Sequence, residues 1–226
     1  MIIGGVQKTS LLDYPDKISA IVFTQGCNFR CGYCHNPELI NSKEQAWTVP
    51  ALFEFLKTRV GKLDAVVITG GEPCLQKDLP EFIKEIKDMG FLVKLDTNGS
   101  YPNMLKEVLP LVDYIAMDIK APLEKYDDIV VNKTDAEKIK ESINIIMNSG
   151  KAYEFRTTVV RSLLSEDDIL KIGDLINGAK CYYLQKFVPT KILDNKLINE
   201  TTYSDEELSY MAAKLKIGRA SCRERV

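Results

Sequence analysis

Cys27-Asn-Phe-Arg-Cys31-Gly-Tyr-Cys34-His35 sets three thiols in the spacing C-x3-C-x2-C. Thiolates ligate soft metals and iron–sulfur clusters. A [4Fe–4S] cluster takes four cysteines. Three close together, with no fourth nearby, would leave one iron open to a substrate or cofactor. A zinc site or structural thiols are the other readings. Zinc favours four ligands, and His35 directly beside Cys34 is poorly placed to share a chelate with it.

Around this stretch the composition is ordinary. A chain of 226 residues is enough for one sizeable domain with its own core. Hydrophobic residues at 45% and charged residues at 27% exclude a disordered or fibrous chain. A formal net charge of -2 offers no basic surface to nucleic acid or an acidic membrane. No apolar run is long enough to cross a bilayer. Met1 to Gly5 lacks the basic start of a signal peptide, and Gln7, Lys8 and Thr9 soon interrupt it. The expected location is cytoplasmic. There, six cysteines read as metal or redox chemistry before disulfides. The closing stretch, Ile217 to Val226, looks like the translation of a sequencing-adapter oligonucleotide. The expectation is one domain over 1–216 and a non-native tail over 217–226, in which Cys222 has no role.

Short Val- and Ile-rich runs alternate with runs of helical period. Strands are expected over Ser19 to Thr24, Ala65 to Thr69, Phe91 to Leu95, Tyr114 to Ile119, Tyr153 to Val160 and Tyr182 to Phe187. Helical spacing joins Leu52, Phe53, Leu56 and Val60 after Pro50, and Leu79, Phe82, Ile83, Ile86 and Met89 before Gly90. A further helix is expected from about Pro102 to Leu109. Thr134 with Glu137, Ser165 with Asp168 and Ser204 with Glu207 read as capping boxes for three more. Six strand–helix units imply a parallel sheet with right-handed crossovers. They are too few for a closed eight-stranded barrel, so a partial barrel and a doubly wound sheet both fit. In either, ligands sit at the C-terminal ends of the strands. The distinctive loops fall there: the cysteines after the first of these strands, Gly70-Gly71-Glu72-Pro73 after the second, Asp96-Thr97-Asn98-Gly99 after the third. Asp118 and Lys120 end the fourth, and Arg156 lies in the fifth.

Each motif also has a plainer reading. Gly70 and Gly71 let a backbone approach a ligand closely, and Glu72 can accept a charge-assisted bond, yet the same residues make a good turn. Asp96-Thr97-Asn98-Gly99 suits a strand-ending turn, and Lys120 a snorkelling surface residue. Arg156 shares a strand face with Glu154 and Thr158. It needs an anionic partner, either a ligand carboxylate bound bidentately or a neighbouring acid. His35, the only histidine, has no evident acid–base partner and is given a binding role at most. Cys74 and Cys181 read as small core residues. No side chain is singled out as a catalytic acid or base.

The cysteine spacing, with Tyr33 before the last cysteine and the Gly-Gly-Glu turn, resembles the signature of the radical S-adenosylmethionine (SAM) enzymes. The resemblance implies a partial (β/α)6 TIM-like barrel. It also implies a [4Fe–4S] cluster on Cys27, Cys31 and Cys34, with SAM at the open iron. It puts Tyr33 and His35 beside the cluster and adenine, and Gly70, Gly71 and Glu72 at the SAM ammonium; for Arg156 the SAM carboxylate is then one candidate partner, beside Glu154 or another acid. Asp96-Thr97-Asn98-Gly99 and Met117-Asp118-Ile119-Lys120 resemble segments of the glycyl-radical-enzyme activases. In those, two aspartates form a monovalent-cation site beside the SAM carboxylate and the lysine lies near the nucleoside. These roles carry over to Asp96, Asp118 and Lys120.

The lead-in from Gly4 to Pro15 and the run from Phe23 to Leu39 resemble one group, the anaerobic ribonucleoside-triphosphate reductase activating proteins. Asp16 departs from the pattern, standing where glycine is usual. No insert with further cysteines lies between Cys34 and Gly70, unlike activases with extra ferredoxin-like clusters. The activity so implied takes one electron from reduced flavodoxin or ferredoxin and cleaves SAM to methionine and a 5′-deoxyadenosyl radical. That radical removes a hydrogen from a glycine Cα of a partner, expected to be the anaerobic ribonucleotide reductase. The alternatives are a radical SAM enzyme acting on a small molecule and a non-catalytic zinc- or cluster-binding module.

Overall fold

The β-branched runs fold as strands and the 3.6-period runs as helices. A computed structural model describes residues 1–41 and 46–223. In chain order the strands are β1 (Ile3–Ser10), β2 (Ser19–Thr24), β3 (Ala65–Gly70), β4 (Leu92–Thr97), β5 (Tyr114–Asp118), β6 (Ala152–Val159), β7 (Tyr182–Lys186) and β8 (Ala220–Arg223). The helices are α1 (Glu38–Asn41), α2 (Val49–Lys57), α3 (Leu79–Asp88), α4 (Pro102–Val108), α5 (Tyr126–Val130), α6 (Ala136–Met147), α7 (Glu166–Leu175) and α8 (Asp205–Lys214). No helix among the described residues is long and apolar enough to cross a membrane.

All eight strands form one sheet whose spatial order equals the chain order. From β2 to β8 the pairs are parallel. A doubly wound sheet needs a point where the strand order reverses, and this sheet has none. It winds in one direction, and its edge strands β1 and β8 do not pair, so the architecture is an open, partial barrel. The β2–β3 register runs from Ser19 opposite Ala65 to Thr24 opposite Gly70. The cysteine loop and the Gly-Gly turn therefore leave the sheet side by side.

Alternation along the strands divides the core. Val66, Ile68, Val93, Leu95 and Ile115 are buried in the large cluster that includes Leu52, Leu56, Phe82, Ile83 and Ile86 of α2 and α3. Ile21, Ala65 and Val67 point the other way and form a small cluster with Tyr14. On that same concave side lie the even-numbered residues of β4 to β6, and these are largely polar.

Some local features differ from the sequence reading. β1 was not expected. Its low apolar content reflects an edge position, antiparallel to β2, where only Ile3 and Ser10 are buried. Asp135, not Thr134, caps α6, accepting from the Glu137 N–H at 3.2 Å; the Thr134 N–H instead donates to Asp127 at 2.7 Å. Val60 lies beyond the end of α2 and is exposed. At the end of the described chain, β8 pairs with β7 from Tyr182 opposite Ala220 to Gln185 opposite Arg223. Cys222 thereby packs against the core.

The Ser165–Asp168 and Ser204–Glu207 capping boxes are both formed. Ser165→Ala removes the acceptor for the Asp168 N–H and is expected to cost about 1 kcal/mol. Urea unfolding checks this: the midpoint should fall at unchanged slope, whereas an unmoved midpoint would deny the cap any role.

Candidate cluster and cofactor site

The cysteine loop carries little regular structure of its own, and distant segments hold it. Its first turn is tied by the Gly26 N–H to the Leu39 carbonyl at 2.7 Å and by the Glu72 N–H to the Gly26 carbonyl at 2.8 Å. Arg30 Nη1 donates to the Cys27 and Phe29 carbonyls at 2.6 and 2.9 Å. From beyond α5, Asn132 Nδ2 donates to the Asn28 carbonyl at 2.6 Å, and the Val130 carbonyl accepts from the Arg30 N–H at 2.8 Å. After β7, the Asp194 N–H reaches the Gly32 carbonyl at 2.9 Å. His35 Nε2 lies 2.7 Å from the Val188 carbonyl. A carbonyl only accepts, so Nε2 carries the proton.

The three thiols line a cleft that is open to solvent at its mouth. Tyr33, Gly70, Gly71, Asp96, Asp118, Lys120 and Arg156 line the same cleft. Among the expected site residues, His35 and Glu72 do not. Burial pushes the Cys27 thiol up to about 12 and raises Cys31 as well, with Lys120 opposing both shifts. Metal uptake there must displace protons. Among the described residues no three His, Cys, Asp or Glu side chains close around a point that would hold a single ion. Thiolates are the donors that iron–sulfur clusters take.

Glu72 is wholly buried behind the cleft wall. One carboxylate oxygen accepts from the Cys74 N–H at 2.9 Å and the Thr97 hydroxyl at 2.8 Å. The other accepts from the Asn98 N–H at 2.6 Å. Burial holds its carboxyl above the usual range despite these bonds. In this arrangement Glu72 ties the Gly-Gly turn to the Asp-Thr-Asn-Gly turn instead of facing the cleft as a ligand contact. The glycines also answer to packing. A Cβ on Gly71 would lie 2.1 Å from the Gly26 carbonyl oxygen, and one on Gly70, at φ +109°, would lie 2.5 Å from the Thr24 nitrogen.

Arg156 takes the ion-pair form. Its Nε donates to Asp118 at 2.8 Å and its Nη1 to Asp96 at 3.1 Å, with Glu154 at 3.7 Å. Burial alone would lower the guanidinium's pKa, but Asp118, Asp96 and Glu154 more than reverse this and keep it charged. Lys120 Nζ also bonds Asp118, at 3.1 Å. Lys94, absent from the expected site, completes the group: its Nζ lies 3.3 Å from Asp96 and 4.0 Å from Glu154 and donates to the Asp13 carbonyl at 2.5 Å. Its signal was a charge inside an otherwise apolar strand. Asp96 and Asp118 are thus joined by side-chain cations, and the geometry lends no separate support to a monovalent ion between them. Asn98 Nδ2 donates to Asn28 Oδ1 at 3.0 Å, and Asn28 Nδ2 to the Ser100 hydroxyl at 3.0 Å, which fixes the cysteine loop to the end of β4. Cys74 is buried and Cys181 half-buried, and neither lines the cleft.

Gly71→Ala is therefore expected to fold but to lose most of its iron on anaerobic reconstitution, because the Gly26 carbonyl must move. Iron and sulfide analysis beside circular dichroism checks this; full iron content would contradict it. Glu72→Gln sets an amide hydrogen against a backbone N–H and is expected to lower stability by about 1–3 kcal/mol, read from its melting temperature.

The sequence matches the Radical SAM superfamily over residues 21–176. A protein of Methanocaldococcus jannaschii, provisionally named a glycyl-radical enzyme activating enzyme, is 37% identical over 202 residues, 86% of this chain and 83% of that one. A 7-carboxy-7-deazaguanine synthase of Thermococcus kodakarensis is 27% identical over 198 residues, 76% of each chain. Among solved structures, Streptococcus suis SuiB bound to S-adenosylmethionine superposes with a TM-score of 0.66 at 12% identity, over 91% of this chain and 50% of that one. That likeness is one of fold alone. With the family match running from β2 to the end of α7 and the cysteine triad set in its cleft, the chain belongs to the radical SAM superfamily.

Proposed function

We propose that this enzyme is a glycyl-radical enzyme activating enzyme. The observation that carries the chemistry is the convergence of three thiols with Asp96, Asp118, Lys120 and Arg156 on one cleft. The relative at 37% identity supports the activase class. Cys27, Cys31 and Cys34 would hold a [4Fe–4S] cluster, and the adjoining cleft would hold SAM. When bound, the two supply one-electron reductive cleavage of the sulfonium and abstraction of a hydrogen atom.

The chain's own residues do the positioning. Arg30 and the segments after α5 and β7 hold the loop. Gly70 and Gly71 keep the β3 turn against it. The Asp96–Arg156–Asp118–Lys120 group presents fixed charges at the cleft wall. Their directions are set before any ligand arrives, which spares reorganisation during reaction. The partner proposed is the anaerobic ribonucleoside-triphosphate reductase. Reduced flavodoxin or ferredoxin is the proposed electron donor, a monovalent cation the proposed companion of Asp96 and Asp118, and the cytoplasm the proposed setting. Similarity to a 7-carboxy-7-deazaguanine synthase favours a second reading, a radical SAM enzyme acting on a small molecule.

The test is anaerobic reconstitution with iron and sulfide, then dithionite and SAM. 5′-Deoxyadenosine should form, and Cys31→Ala should reduce it to background. Addition of the reductase should produce a glycyl radical by electron paramagnetic resonance. 5′-Deoxyadenosine without that signal would move the reading to a small-molecule substrate. Bound zinc in protein kept anaerobic throughout would overturn both.

A further inference from the structure

One part of the cleft is not accounted for by cluster or charge. Thr158 of β6 and Gln185 of β7 stand opposite each other in the parallel register. Both line the cleft, and they are only 8% and 7% exposed. Neither side chain makes a hydrogen bond among the described residues, not even with the other. By contrast, Arg156, two residues before Thr158 on the same face, is paired through Nε and Nη1 with Asp118 and Asp96. Neither Thr158 nor Gln185 belongs to the polar atoms shut away from solvent without a partner, so their polar atoms open onto the cleft. A cross-strand pair of polar side chains that bond nothing in the protein and open onto the cleft is available to a ligand.

The chemistry of the pair narrows the ligand. Gln185 offers an amide donor and an amide acceptor, and Thr158 a hydroxyl that does both. Neither carries charge, unlike the Asp96, Asp118, Lys120 and Arg156 side chains elsewhere in the cleft. The complement is a neutral group that both donates and accepts, as a peptide bond does. Resting on the activase reading, the argument extends to the substrate. Glycine has no side chain to recognise, so the groups that the reactive residue itself offers an enzyme are its backbone amides. The strand order sets β6 and β7 four and five positions from the β2 end that carries the thiols. A bound peptide would thus lie across the cleft from the cluster.

We propose that Thr158 and Gln185 form the substrate-backbone site, hydrogen-bonding the peptide amides that flank the reactive glycine of the partner. They are binding residues, and the radical chemistry does not pass through them.

The test uses reconstituted wild-type, Gln185→Met and Thr158→Val holoenzymes with the anaerobic ribonucleotide reductase. Glycyl radicals formed per 5′-deoxyadenosine released are counted, and the KM for reductase and for SAM are measured separately. Binding of an N-acetylated, C-amidated hexapeptide with one central glycine is followed by calorimetry, with iron content and melting temperature as checks on folding. The expected result is a roughly tenfold loss in peptide affinity and in radicals per 5′-deoxyadenosine for each variant, as for one lost hydrogen bond with its partner left unpaired. Variants whose reductase KM, peptide affinity and coupling ratio equal those of a radical-forming wild type would overturn the inference alone. A rise confined to the SAM KM would also overturn it, assigning the pair to the cofactor. A wild type that forms no glycyl radical would overturn the activase reading and take this inference with it.

Discussion

The contact between the Gly71 backbone and the Gly26 carbonyl is the constraint from which the rest of the site follows. Only glycine permits it, since a Cβ would stand 2.1 Å from that oxygen. The contact fixes the exit of the cysteine loop against the exit of β3, and the Glu72 N–H bonds the same carbonyl. Glu72 then passes the constraint sideways through Thr97 and Asn98 to the end of β4. Asn98 returns it to the cysteine loop through Asn28. The circuit closes on itself, so the three strand ends are tied to one another. This is how an irregular loop can hold thiols in place with no regular structure beneath them.

The second determinant is charge. Lys94, Lys120 and Arg156 stand against Asp96, Asp118 and Glu154 on the concave side of the sheet. Three cations balance three anions. Burying any one of them alone would be strongly unfavourable, because desolvation is repaid only when the pairing is complete. Such a network adds little net stability over an apolar core of the same shape, and its persistence here fits a role in ligand binding. Around it the wall changes character by height. Tyr14, Ile21, Ala65 and Val67 form an apolar cluster facing the concave side, the charged group comes next, and the thiols lie at the strand ends. A cofactor entering from the mouth would meet polar groups whose positions are already set.

Much of this was legible in the sequence because it rests on local signals. The six central strands and the two serine capping boxes follow from period and from hydroxyl–carboxylate spacing. The partial barrel needed the resemblance, since periodicity alone could not separate it from a doubly wound sheet; the unreversed strand order now does so. What escaped lacks a local signal. β1 is an edge strand with an almost polar sequence. Glu72 read as a ligand contact because a carboxylate after two glycines suits an ammonium. Only tertiary structure shows it turned inward to Thr97 and Asn98. Arg156 was left open between ligand and ion pair, and the decision depended on Asp96 and Asp118 arriving from other strands. Lys94 sits alone among the apolar residues Phe91 to Leu95, a signal visible beforehand but silent about what it faces.

The most direct test of the account is Mössbauer spectroscopy of the anaerobically reconstituted, ⁵⁷Fe-loaded protein with and without SAM. The triad of Cys27, Cys31 and Cys34 leaves one iron without a protein ligand, so SAM should shift one of the four iron sites and leave the other three. Four sites that stay alike on addition of SAM, or iron held in any form other than a four-iron cluster, would contradict the central claim.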